Sequence, residues 1–317
     1  VLKNFNLKKN YALNELFLLS DKKSKLTIND LGYLIGPILN AGGRLGKSNY
    51  ATELLSTDNS IILNQRSTEL IKLNIKRKKI EDTILKQINF TKIENECKDV
   101  IIYYSPNLNE GLIGIIAARL KEYYNKPSIV ITKSGNLLKG SARSIYNYNI
   151  GRAIKSALDN NIIIAGGGHN MAAGFTLDAN NLKNFKVFMI QNFLKSGASI
   201  NHILNYEAEI SSIAFNKDFF NDIKMIEPFG NGNPIPTFLF KDLKIIKNKI
   251  LNKNHISSIL KSKIGFSISS ICFNSVNNKL GEYLLNYKNN LNVLGQINEN
   301  FWNNKNSLQL TIRDLVL

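Results

Sequence analysis

The 317-residue chain is poor in the residues that usually build covalent or metal frameworks. It has two cysteines, Cys97 and Cys272, far apart and without metal-ligand spacing, which excludes a disulfide scaffold and fits a reducing, cytoplasmic setting. It has three histidines, His169, His202 and His255, and no Asp-His-His triplet. A two-metal hydrolytic centre needs a cluster of carboxylates and histidines, and these residues cannot supply one. No apolar run approaches the roughly 18 residues of a membrane span, and no signal peptide opens the chain, so no membrane partner is expected. Acidic residues are also scarce. Lys and Arg number 41 against 24 Asp and Glu, a formal charge of +17 that points to a polyanionic partner, nucleic acid before membrane. Nucleotide bias toward Lys and Asn codons is the other source of such an excess.

Hydrophobic residues make up 44% of the chain, enough for cores in two or three domains. The stretch Ile162–Phe175 stands out. Ile162–Ala165 reads as a short buried strand running into Gly166, Gly167 and Gly168, with His169 just beyond. Glycines at a strand end let a ligand approach the backbone, so an anion held by N–H groups and His169 is one reading; a structural histidine is the other. Alternating strand and helix patterns surround it: strands at Val100–Tyr104, Ser128–Thr132 and Leu137–Ser144, helices at Gly111–Tyr124 and Ile150–Leu158. This order predicts a parallel or mixed sheet with helices on it. Ser141 and Arg143, two apart on a strand, share a face and suit a phosphate.

Upstream, residues 1–35 read as short helical pieces with Leu13, Leu16, Phe17 and Leu19 as apolar positions. Gly36-Pro37 reads as a helix break, and Asn40–Gly43 as a flexible turn presenting Arg44. Residues 59–90 read as one long helix, with Leu70, Leu73, Ile80, Ile84 and Ile88 at threes and fours and Asp58 as its N-cap. Lys76–Lys79, which includes Arg77, is either a solvated face or a DNA-tracking one. Downstream, residues 205–317 read as all-β, about five short strands of an OB-type barrel. Glu227–Phe238, with two glycines and three prolines, is a rigid loop. Trp302 either stacks a base or packs beside a hairpin.

Five motifs in order resemble one family. Gly166–Gly174 resembles the GGGHxxAAG motif of the DHHA1 domain, and Gly140–Ser144 its G-S-x-R-S motif. Pro37–Leu45, Asn74-x-x-Arg77-Lys78 and Glu227–Pro236 resemble motifs of RecJ-type single-stranded-DNA exonucleases. Leu108-Asn109 replaces a Trp-His of that family, and Gly42 an Ala. The resemblance implies an α/β DHHA1 domain with a long connecting helix, followed by an OB-type barrel. The expected boundaries are 1–92 for the end of the DHH region and the helix, 93–196 for DHHA1 and 197–317 for the RecJ OB domain. It implies a 5′→3′ exonuclease for single-stranded DNA in repair and recombination, with Mn²⁺ or Mg²⁺ as cofactor and other repair proteins as further partners. Arg44, Ser141, Arg143, Gly167, Gly168 and His169 would hold phosphate, with Asn40 and Arg77 in support. The metal ligands of the family would lie upstream of the Arg44 motif and have no counterpart in this sequence, so this piece would carry no catalytic or metal residue of its own. A non-catalytic binding module and a shorter DHH–DHHA1 phosphodiesterase for short oligonucleotides are the alternatives.

Overall fold

The computed structural model describes residues 10–20, 30–199, 204–230, 232–276, 278–302 and 305–316. They form two compact units, Val1–His202 and Ile203–Leu317.

The first unit opens with helix α1 (Tyr11–Leu19), in which Leu16 and Phe17 are buried and Leu19 is exposed. A π-helical turn at Leu31–Ile35 then runs straight into α2 (Gly36–Arg44). This corrects the expected helix break and the expected flexible turn at Asn40–Gly43. Pro37 sits at the junction of the π-helical turn and α2, and the chain stays helical across it although proline donates no N–H. Arg44 is therefore presented by a helix C-terminus. Helices α3 (Asn49–Leu55) and α4 (Ser60–Gln87) follow, and Leu16, Ile38, Leu54, Leu63 and Leu70 form their common core. The 28 residues of α4 span about 42 Å. Its cap is Asn59 rather than Asp58: the Asn59 side chain accepts from the Ile61 and Ile62 N–H groups at 2.9 and 3.3 Å.

Midway along α4 the buried residues turn polar. Glu81 accepts from Arg77 Nη1 at 2.8 Å and from Arg119 Nε at 2.9 Å, and Arg77 Nε donates to Asn74 at 3.1 Å. Arg77 is thus an internal tie, not part of a solvated or DNA-tracking face. Arg119 belongs to α6 (Ile113–Tyr124), which follows α5 (Phe90–Glu96) and strand β1 (Ile101–Tyr104). Ile84, Ile101, Leu112, Ile116, Leu120 and Val130 pack around this junction.

Strands β2 (Ser128–Ser134) and β3 (Leu137–Arg143), helix α7 (Ile150–Asp159), strands β4 (Ala165–His169) and β5 (Ala172–Leu177), and helix α8 (Leu182–Lys195) complete the unit. The sheet order is β1-β2-β3-β5-β4, with β1–β2 parallel and the rest antiparallel. Helices α7 and α8 cover one face over Ile129, Ile131, Leu138, Phe175 and Leu177. Ile162–Ala165 is not the expected strand. Ile162 N–H closes onto Ala157 carbonyl at the end of α7, and Asn161 takes φ 56° to turn the chain. Pairing starts at Ala165, so the glycines themselves are the strand. At Gly151 a Cβ would lie 2.8 Å from the His169 carbonyl oxygen, so glycine lets α7 rest directly on β4.

The second unit has a short β6 (Ala208–Glu209), helix α9 (Lys217–Met225), β7 (Phe238–Leu251), β8 (His255–Ser262), β9 (Ser267–Cys272), helix α10 (Lys279–Asn286), β10 (Leu291–Trp302) and β11 (Lys305–Val316). Strand pairing runs β7-β8-β9-β11-β10 and returns from β10 to β7, a closed five-stranded barrel in which β9 and β11 are parallel. The region is an OB-type barrel but not all-β, since α10 fills one end with Leu284 and α9 adds Phe220 and Ile223 to the core. Asn233 Nδ2 donates to the Ile226 and Pro228 carbonyls, and Gln296 Nε2 to Ile235, fixing the loop before β7. The Trp302 side chain lies outside the described residues.

Glu81→Leu should destabilise the first unit by about 3–5 kcal/mol, because it leaves the Arg77 charge buried and unpaired. Arg119→Ala, at a half-exposed partner, should cost no more than about 1 kcal/mol. Urea unfolding read by tryptophan-independent far-UV signal checks this; equal costs would refute an internal tie. Gly151→Ala should lower the melting temperature although alanine is the better helix former, by about 1–3 kcal/mol of overpacking. A raised melting temperature would show that α7 does not rest on β4.

Candidate nucleic-acid interface

The register of three strands assembles the site. Arg143 pairs with Ala172 and Ala172 with His169; Ser141 pairs with Gly174 and Gly174 with Gly167. Directly opposed residues point to the same face. Arg143, Ser141, Gly167 and His169 therefore share one face, with Ala172 and Gly174 as its low floor. Two strand spacings, roughly 10 Å, separate the β3 residues from the β4 residues. Gly168 falls on the opposite, inward face, where a Cβ would lie 2.3 Å from the Ala172 carbonyl oxygen. It shapes the strand but offers only backbone.

Arg44 reaches the same place from α2. Its Nη1 donates to the Gly111 carbonyl at 3.0 Å. At Gly111 a Cβ would be 2.2 Å from the Arg44 carbonyl oxygen, so the turn ahead of α6 lies directly on the end of α2. Asn109 closes that turn by accepting from Gly111 N–H at 2.8 Å; where the family resemblance expects a histidine, this chain has a turn-former. Three residues on, in the first turn of α6, a Cβ at Gly114 would lie 3.0 Å from Arg143 Nη2 and 3.2 Å from Ser141 Oγ. Arg143 Nη1 donates to Ser141 Oγ at 3.2 Å and to the Ala142 carbonyl at 2.8 Å. Asn40 is exposed one turn before Arg44.

The electrostatics are those of a cation cluster. Burial, and then the charge of Arg44, pushes the Arg143 pKa down. Burial, and then Arg77, does the same to Arg44, with Glu81 opposing. Neither guanidinium makes an ion pair among the described residues. Half-buried like charges held together are unfavourable unless an anion joins them, and a phosphate would offset both desolvation and repulsion. His169 is exposed at the end of the row. His255 lies in the barrel, accepting from Asn274 N–H at 3.0 Å, and His202 falls outside the described residues. Among the described residues no group of three or more His, Cys, Asp or Glu could hold a metal ion. The donors gathered at the row suit an anion and do not fit Mn²⁺ or Mg²⁺.

Sequence reasoning missed Arg152, Lys155 and Gly114. Arg152 and Lys155 stand three apart on α7 beside the glycine strand. Their spacing on a helix next to a ligand motif was the available signal. Among the described residues no helix is long and apolar enough to cross a membrane.

Residues 98–195 match the DHHA1 domain and residues 206–314 the RecJ OB domain. The single-stranded-DNA-specific exonuclease RecJ of Haemophilus influenzae is 31% identical over 91% of this chain and 52% of its own length. That of Bacillus subtilis is 26% identical over 90% of this chain and 36% of its own length. The crystal structure of RecJ from Thermus thermophilus in complex with Mn²⁺ superposes with a TM-score of 0.79 at 24% identity, covering 97% of this chain and 44% of that one. The chain thus spans about half the length, or less, of these relatives. It carries a DHHA1 domain followed by a RecJ OB domain, and over about nine-tenths of its length it is similar to the RecJ exonucleases.

Proposed function

We propose that the chain forms the phosphate-gripping wall and the strand-holding barrel of a 5′→3′ exonuclease for single-stranded DNA, working in the cytoplasm in repair and recombination. One observation carries this reading: Arg44, Ser141 and Arg143 meet at one end of a cross-strand row whose other end is His169, and the two arginines have no counter-ion among the described residues. A 5′-terminal phosphate offers the charge and the bidentate geometry that such guanidiniums bind. Asn40 and Arg77 support from α2 and α4. Gly167 leaves the backbone open beside the row, with nothing within 4 Å of where its Cβ would stand.

The barrel adds sequence-tolerant grip. Phe266 and Phe273 are 49% and 53% exposed around β8–β9, and Lys247, Lys249 and Lys261 line the neighbouring surface of β7 and β8. Exposed rings stack bases and lysines track phosphates. Mn²⁺ or Mg²⁺ would serve hydrolysis in the whole enzyme through ligands other than the residues described here. Other repair proteins are proposed as partners of that enzyme. Since the described residues hold no metal-ligand cluster, the 317-residue chain by itself should act as a binding module.

Arg143→Ala should weaken binding of a 5′-phosphorylated oligonucleotide about 10- to 150-fold, the loss of one or two charged hydrogen bonds. Arg143→Lys should recover part of it, because an ammonium lacks the fork. Lys183→Ala, on α8, should change little. Fluorescence anisotropy with 5′-phosphate and 5′-hydroxyl strands reads the difference; if Arg143→Ala behaves like Lys183→Ala on both, the row is structural only. The same assay run over a decade of salt should show a log–log slope near −3 or steeper, about −0.7 for each of four or more phosphates. Labelled strand should remain uncut in Mn²⁺. A flat salt response would trace the +17 charge to composition alone, and nucleotide release that copurifies with the chain would refute the binding-module reading.

A further inference from the structure

A groove of about 780 Å³ runs between β4 and α7. That is the size of a small-ligand site and ample for a nucleotide. One wall is the glycine strand, Gly166–Gly168. The other carries Arg152 and Lys155, with Asn149 at its mouth. Gly151 sets the geometry: because α7 rests on the β4 backbone there, the residues on either side of it are held close to the strand edge. Asn149 Oδ1 is already occupied by Arg152 N–H at 3.0 Å, so the side chains, not the helix end, give the groove its character.

Both cations are exposed, and neither side chain has a hydrogen bond or an ion pair among the described residues. No carboxylate lines the groove. Asp159 stands four residues beyond Lys155 on α7 but is not paired with it. His169 belongs both to this groove and to the row that ends in Arg143. The groove is therefore the continuation of the phosphate row across the edge of the sheet.

We propose that this groove is a second phosphate subsite, in which Arg152 and Lys155 hold the backbone of a single strand further along from its terminal phosphate. It rests on the reading of the Arg143 row as the terminal-phosphate site. A ligand that fits must be a polyanion of repeating phosphodiesters, since a lone phosphate satisfied at Arg143 gains nothing from cations across the edge. The subsite would make the chain favour strands over di- and mononucleotides.

The test uses the 317-residue chain and two probes, 5′-phosphorylated dithymidylate and a 5′-phosphorylated 12-residue oligothymidylate. The paired substitution Arg152→Ala/Lys155→Ala should weaken the 12-mer about 10- to 100-fold and the dimer less than about twofold. It should also reduce the steepness of the 12-mer salt slope by about 1.4, two phosphates at about 0.7 each, a change that general damage to the fold would not produce. Arg152→Lys/Lys155→Arg should keep most of the 12-mer affinity. Arg143→Ala, run alongside, should weaken both probes. If Arg143→Ala weakens both while the paired alanines leave the 12-mer and its slope unchanged, the subsite is wrong and the row stands. If the paired alanines weaken both probes equally, the subsite is likewise overturned, because its cations would then act at the terminal phosphate. If Arg143→Ala changes neither probe, the row fails and the subsite falls with it.

Discussion

The pairing register of β3, β5 and β4 is the constraint on which the rest depends. Along β3 the side chains alternate, so Leu138, Gly140 and Ala142 face the core while Lys139, Ser141 and Arg143 face outward. A slip of one residue would invert this: a guanidinium and a hydroxyl would enter the apolar layer under α7 and α8, and Ala142 would replace them outside. Core and site thus enforce the same register. Phe175 helps to lock it, since its ring occupies the space over Gly140 on the neighbouring strand, where a Cβ would be 2.1 Å from the ring. The apolar alternation that stabilises the sheet is what aligns Arg143 with His169.

Bringing Arg44 to that row opposes the protein's own electrostatics. Two partly buried arginines repel, and Arg77 adds a third charge nearby. Glu81 answers one of these charges through a buried bridge and offsets part of the remaining field. The bridge also links α4 to α6, whose first turn carries Gly114 beside Arg143. One carboxylate therefore acts on the site twice, once through its charge and once through the helix it holds. The residual positive potential is what the proposed phosphate site would use.

Much of this was legible in the residues themselves. The i, i+2 spacing of Ser141 and Arg143 placed both on one strand face, and the alternation of strands with helices foretold a parallel or mixed sheet with helices on it. The errors have local causes. Isoleucine favours strands and glycine does not, so Ile162–Ala165 attracted the strand assignment that belongs to Ala165–His169. Gly-Pro and Asn-Ala-Gly-Gly read as turn chemistry, yet the π-helical turn ahead of Pro37 carries the helix across it and the packing of Ile38 and Ala41 outweighs the weak propensity of the rest. Asp58 and Asn59 are equally good caps by type, and only backbone geometry chooses between them. Arg152 and Lys155 lie on the exposed side of α7. Their spacing next to the glycine motif is a local signal, but the strand that stands opposite them is a tertiary relation between α7 and β4.

Strand β4 is an edge, and three glycines in a row make it a smooth one. Such an edge offers unpaired backbone groups to any passing chain and is a recognised route to unwanted strand addition. Here the strand is only five residues long, and α7 lies against it with Arg152 and Lys155 alongside. Short length, a covering helix and a lysine beside the edge are the devices by which sheets resist joining one another. Under the proposed function, the features that would present this edge to a phosphate backbone are also ones that hinder its pairing with a polypeptide strand.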